Sequence, residues 1–114
     1  MAKIEIVRSL VIEIRKKFDK AEANRIIDLI ETLKDNPKKG KPLGTIGGIV
    51  IKELKYKQFR FYFVVEGYKL KLFNYEELKN LLIRFVRMSD KKNQQKVIEE
   101  IKKILKTIGP AGFE

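Results

Sequence analysis

The chain has 114 residues, 44% apolar and 36% charged, with 26 Lys and Arg against 15 Asp and Glu, a net charge of +11, and neither cysteine nor histidine. One core can serve that length, so a single domain over residues 1–114 is expected; without Cys or His, disulfides, thiolate metal sites and thiol nucleophiles are excluded, and the commonest neutral-pH proton shuttle and zinc ligand are absent. No apolar run approaches the roughly 20 residues of a membrane span and MAKIEIVRSL lacks a signal-peptide layout, so a cytoplasmic protein with no membrane partner is expected.

In chain order, Ile4 and Ile6 alternate with polar neighbours and predict a short strand. Leu10, Val11, Ile14 and Phe18 keep helical spacing, and Asp19-x-x-Glu22 has the pattern of a helix N-cap box. The helix starting there places Ala23, Ile26, Ile27, Ile30 and Leu33 on one face, and Asn36-Pro37 stops it because proline cannot continue the ladder. KKGKPLGTIGG, rich in Gly, Pro and Lys, reads as a loop. GIVIKELKYK, FRFYFVV and YKLKLF read as three strands, with Glu66-Gly67 a tight turn between the last two. NYEELKN predicts one helical turn capped by Asn74, and LLIRFVR a further strand. From Asp90 onward Val97, Ile98, Ile101, Ile104, Leu105 and Ile108 form one stripe, closed by Gly109-Pro110. The expected architecture is a small α+β domain with a mainly antiparallel sheet and the helices packed on one face.

Strand alternation sorts the side chains. Phe59, Phe61, Phe63 and Val65 share one face, leaving Arg60, Tyr62 and Val64 on the other. Leu81, Ile83 and Phe85 match the apolar set, so Arg84 is expected beside Arg60 on an uncovered face. Arg87 shares the parity of Phe85, which places it beyond the end of a regular sheet strand.

The charge is unevenly spread. Residues 38–96 hold 15 cations and 5 anions, net +10, while residues 1–37 hold 8 and 7 and residues 97–114 hold three of each. Such a region attracts a polyanion, nucleic acid first and an acidic protein next. The five acids of the basic segment form no aspartate cluster for a metal, and Gly44, Gly47 and Gly48 are not followed by the Lys-Ser/Thr and helix of a nucleotide loop.

At these residues the sequence resembles the RelE/ParE toxin superfamily of toxin–antitoxin pairs. The likeness is carried by the order of elements, the loop from Asn36-Pro37 to Leu43-Gly44, Glu53-Leu54-Lys55 in place of a Glu-Leu-Arg, and Phe59-Arg60-Phe61 in place of a Tyr-Arg-hydrophobic strand. LLIRFVRMSDKKNQQ is similar to the HigB-like branch, where an apolar strand runs into a Lys-Lys pair; either Arg87 or Lys91-Lys92 aligns with that pair. The resemblance implies a RelE-like β-α-α-β-β-β-α fold, an acidic antitoxin as partner, and metal-independent cleavage of messenger RNA, on the ribosome, with no cofactor.

That cleavage, in which a ribose 2′-hydroxyl attacks the adjacent phosphorus, needs cations around the phosphorane and groups to move two protons. Arg60 and Arg84 suit the first task. Lys91, Lys92 and Arg87 suit phosphate binding at the start of the last helix, whose free N–H groups and dipole also favour an anion. Glu53, Lys55, Tyr56 and Tyr62 are the acid–base candidates, with Tyr62 first because it shares a face with Arg60; Lys57 and Tyr56 are candidates for RNA contact, an aromatic ring stacking an unpaired base. The blander readings are solubilising strand arginines and solvated helix-start lysines. The rival functions are a non-catalytic homologue, a ParE-like gyrase inhibitor and a basic RNA-binding module.

Overall fold

The computed structural model describes residues 2–67, 70 and 80–113. Along these residues run β1 (Lys3–Ile6), α1 (Arg8–Lys17), α2 (Lys20–Glu31), a 3-10 turn at Thr32–Lys34, β2 (Lys41–Ile46), β3 (Ile49–Tyr56), β4 (Phe59–Glu66), β5 (Leu82–Asp90) and α3 (Gln94–Thr107). The sheet order is β1-β5-β4-β3-β2, with β1 parallel to β5 and every other pair antiparallel. An α+β domain built on a mainly antiparallel sheet is what the sequence led us to expect.

The helical hairpin is set by local chemistry. Asp19 Oδ1 accepts the Glu22 N–H at 2.8 Å, which satisfies one of the unpaired donors at the start of α2. The apolar stripe then does what its spacing requires: Ile26, Ile30 and Leu33 are wholly buried with Leu10 and Ile14 of α1. Phe18, at the end of α1, meets Phe59 edge to face at 5.0 Å, which seats the hairpin on the sheet face of Phe59, Phe61 and Phe63. On that face Phe63 and Phe85 touch at 4.7 Å, and each fully buried aromatic of this kind contributes on the order of 2–3 kcal/mol.

Four expectations need correction. KPLGTI, read as loop, is the edge strand β2; an edge tolerates Pro42 because no neighbour needs its missing N–H, and the pairing with β3 slips between Pro42 and Gly44. The tight turn predicted at Glu66-Gly67 does not form: Glu66 still belongs to β4 and Gly67 has helical backbone. Leu70 has helical backbone too, β4 pairs with β5, and the rest of the predicted strand Tyr68–Phe73 lies outside the described residues, as does the Asn74-capped turn as far as Lys79. Ile108 does not join the buried stripe of α3; it is 69% exposed, while Ile101 and Leu105 are buried.

The fourth correction concerns the helices, of which only α1 and α2 share a face. Arg87 pairs with Tyr62 across β4 and β5, and its guanidinium meets Glu100 of α3. Arg84 pairs with Val64 and reaches Pro110 just beyond α3. Helix α3 therefore covers the Tyr62 face, and with it Ile51, Tyr62 and Val64 are buried, so the face expected to be bare is covered along much of its length.

Candidate nucleic-acid interface

The two arginines expected to act together are on one face but apart along it. Arg60 stands opposite Ser89 and Arg84 opposite Val64. Four residues of strand separate those positions, or about 13 Å at the usual rise of ~3.3 Å per residue. Their surroundings also differ. Arg60 is half-buried, donates to the Phe59 carbonyl at 3.2 Å, and pairs across the sheet with exposed Lys55. Arg84 donates to the Pro110 carbonyl at 2.9 Å and lies 3.2 Å from Glu5 of β1, so its charge is already matched.

Arg87 lies inside β5, not beyond it. The register slips between Tyr62 and Phe63, leaving Val86 as the extra residue of a β-bulge, and the bulge moves Arg87 to the face opposite Phe85. There it is 2.8 Å from Glu100 through Nε, donates to the Val86 carbonyl at 2.7 Å, and lies over the Phe113 ring at 5.4 Å. A strictly alternating strand cannot foresee that shift.

Of the cations singled out from the sequence, those that remain accessible gather at one end of the sheet. β3 and β4 turn around at Lys57 and Gln58, and Phe59 stands opposite Asp90, so the turn and the β5–α3 junction are side by side. Lys55, Lys57, Lys91 and Lys92 are exposed there, with Arg60 half-buried among them. Asp90 is the acid of the junction. It accepts both the backbone and side-chain N–H of Asn93 at 2.9 Å, and those hydrogen bonds, the side-chain one foremost, hold its carboxyl below the usual range. Asp90 thus orders the turn into α3 and keeps Lys91 and Lys92 at the corner.

Tyr56 and Lys57 are placed by Glu22, a residue that the sequence singled out only as part of a helix cap. Both reach Glu22 Oε2 of α2, Tyr56 donating its hydroxyl at 3.1 Å, and the hydrogen bond from Lys57 holds the Glu22 carboxyl below its ordinary value while raising Lys57. Lys57 has φ of +53°, a left-handed conformation rare for a residue with a side chain. No signal in the local sequence connects Glu22 with residues 34 and 35 positions away.

The acid–base candidates separate clearly. Tyr62 is fully buried, shares a 2.7 Å hydrogen bond with Ser89 Oγ, and burial pushes its hydroxyl pKa up, all of which suits a structural hydroxyl better than a base meeting substrate. Glu53, opposite Tyr62 on one side and Lys41 on the other, is half-buried, and its Oε2 is buried with no hydrogen-bond partner. Lys52 was not singled out from the sequence; it is 3% exposed, donates to the Lys38 carbonyl at 2.8 Å, lies over the Phe63 ring, and burial lowers its pKa. It belongs to the Phe61 face and the core, not to the basic end.

Among the described residues no group of three His, Cys, Asp or Glu side chains is placed to hold a metal ion, and no helix is long and apolar enough to cross a membrane. No known family description matches the chain, and neither does any curated protein. Among solved structures, the chain is similar to one from the archaeal RelE–RelB complex of Pyrococcus horikoshii OT3, with 14% identity and a TM-score of 0.58 over 79% of this chain and 94% of that one. The likeness establishes a shared fold, as the sequence resemblance implied.

Proposed function

We propose that this chain is a RelE-like toxin of a toxin–antitoxin pair, an endoribonuclease that cleaves messenger RNA on the ribosome without a metal. The observation that carries the reading is the corner of Lys55, Lys57, Arg60, Lys91 and Lys92 at one end of the sheet, in a chain whose fold is that of a RelE–RelB component. Lys57, Lys91 and Lys92 bind the phosphates flanking the scissile one, and Tyr56 beside them offers a ring for an unpaired base. Arg60 and Lys55 stabilise the phosphorane formed when the 2′-hydroxyl attacks phosphorus. Glu53 takes the 2′-hydroxyl proton, and the Lys55 ammonium returns one to the departing 5′-oxygen, so the products are a 2′,3′-cyclic phosphate and a free 5′-hydroxyl. Its partners are messenger RNA, the ribosome and an acidic antitoxin; the reaction takes place in the cytoplasm.

The engagement of Arg84 and Arg87 by Glu5, Glu100 and the residues after α3 favours a second reading, a basic RNA-binding module that does not cut. One experiment separates the two: primer extension on ribosome-bound messenger RNA with excess chelator, comparing the parent with Arg60→Ala and Glu53→Gln, with circular dichroism as the check on folding. The toxin reading expects cutting by the parent in chelator and a loss of 10²-fold or more in Arg60→Ala with the fold retained. A parent that binds RNA with strong salt dependence and never cuts makes the chain a binding module.

A further inference from the structure

One short segment touches both arginines of β5. Pro110 accepts from Arg84 Nη1 at 2.9 Å, and the Phe113 ring lies under the Arg87 guanidinium at 5.4 Å. Residues 110–113 thus follow β5 from Arg84 to Arg87, having turned back from α3 at Gly109, where φ is +99° and the N–H bonds to the Ile104 carbonyl at 3.0 Å. The segment is held by packing. Phe113 is buried, and Gly112 sits so close to α3 that a Cβ there would fall 2.8 Å from Ile104 Cγ2. Residues 109–113, Gly-Pro-Ala-Gly-Phe, carry no charged side chain.

Beneath this neutral segment both arginines are paired with carboxylates, Arg84 with Glu5 and Arg87 with Glu100. Arg84 Nε lies 3.2 Å from Glu5 Oε1, yet its N–H is not aimed at that oxygen, and the nitrogen is buried without a hydrogen bond. The carboxylates of Glu5 and Glu100 are themselves about half exposed, at 47% and 49%, where ion pairs are weak and screened by salt. A backbone phosphate accepts from a guanidinium fork in parallel bonds, a geometry that the divided partners of Arg84 (the Pro110 carbonyl and a 3.4 Å bond to Glu5) and of Arg87 (Glu100, the Val86 carbonyl and the Phe113 ring) do not reproduce.

We infer that residues 109–113 form a strap that keeps Arg84 and Arg87, a second phosphate-binding surface of β5, away from RNA, and that lifting the strap adds both guanidiniums to the basic end of the sheet. This rests on the RNA-binding reading above and extends it to a surface that the closed strap covers. Strap release is then a step between weak and extended engagement of the RNA backbone.

The test uses the full chain with two charge-neutral lesions, Phe113→Ala, which removes the anchor, and Gly112→Ala, which forces the segment off Ile104, so that one remains if the other fails to fold. Two readouts are taken: the rate of phenylglyoxal modification of Arg84 and Arg87, read by peptide mass, and the binding of a single-stranded RNA oligonucleotide as a function of salt. Each freed cation that reaches a phosphate steepens the log–log salt slope by about 0.7, so two add up to about 1.4, and the affinity lost on a fourfold rise in salt grows by about sevenfold. Faster modification with a steeper slope, returned to the parent slope by Arg84→Gln and Arg87→Gln together, is the expected result. Unchanged modification in both variants overturns the strap. Freed arginines with the parent's slope overturn the phosphate surface while leaving the basic end intact. Absence of RNA binding in parent and variants alike overturns both.

Discussion

Lys52 carries the least compensated charge in the core. Its ammonium has one hydrogen bond, to the Lys38 carbonyl, and burial holds its pKa below the ordinary 10.5. Between that lowered value and 10.5 the unfolded chain binds more protons than the folded one, so stability rises with pH through that window, and the gain is complete above 10.5. Lys52→Met keeps the length, removes the charge and gives up the hydrogen bond. Replacement of a buried charge by an apolar group is commonly neutral or stabilising, so a gain of about 1 kcal/mol at neutral pH is expected, together with loss of the rise toward pH 10.5, both measured by urea unfolding across that range. A large loss at neutral pH would show instead that the bond to Lys38 dominates. Tyr62 teaches a related lesson at the same scale: alternation assigned its face correctly, but only the packing of α3 shows that its hydroxyl is spent on Ser89.

Among the elements, β2 and β5 show where pattern and structure part. KPLGTI has the composition of a loop because an edge strand with a register slip can accept proline and glycine that a central strand would reject. The bulge in β5 adds a single residue, and one residue is enough to turn every later side chain onto the other face. By contrast, the Asp19 cap, the stripe of α2 and the Gly109-Pro110 stop were read correctly because each depends on neighbours within one or two turns. The approach to β2 offers a sharp test. Gly40 has φ of +106°, and a Cβ there would lie 2.7 Å from Phe63 Cζ and 3.1 Å from the Glu53 carbonyl. Gly40→Ala is expected to cost about 2 kcal/mol or more, through both strain and displacement of Phe63, and to appear as a lower thermal midpoint with the secondary structure retained. A variant as stable as the parent would mean that the turn into β2 can relax without moving the core.

For the molecule as a whole, the excess of +10 in residues 38–96 is the property a partner meets first. An acidic partner protein should associate quickly at low salt and lose affinity steeply as salt rises, because screening acts on the encounter and on exposed pairs alike. Stopped-flow association against ionic strength checks this; a rate indifferent to salt would show that charge does not drive the encounter. By itself the sequence determined the α+β class, the helical hairpin, the apolar face of β4 and the place of the charge along the chain. All of these follow from composition, periodicity and capping, which act over a few residues. Tertiary structure decided which cations are free. Arg84 is matched by Glu5, 79 positions away, and Arg87 by Glu100 across a bulge, whereas Lys55, Arg60, Lys91 and Lys92 meet only because β3, β4 and β5 end together. The availability of a charge depends on what lies across from it in space, and strand order, register and the face chosen by α3 determine that through contacts too distant in sequence for any local pattern to encode.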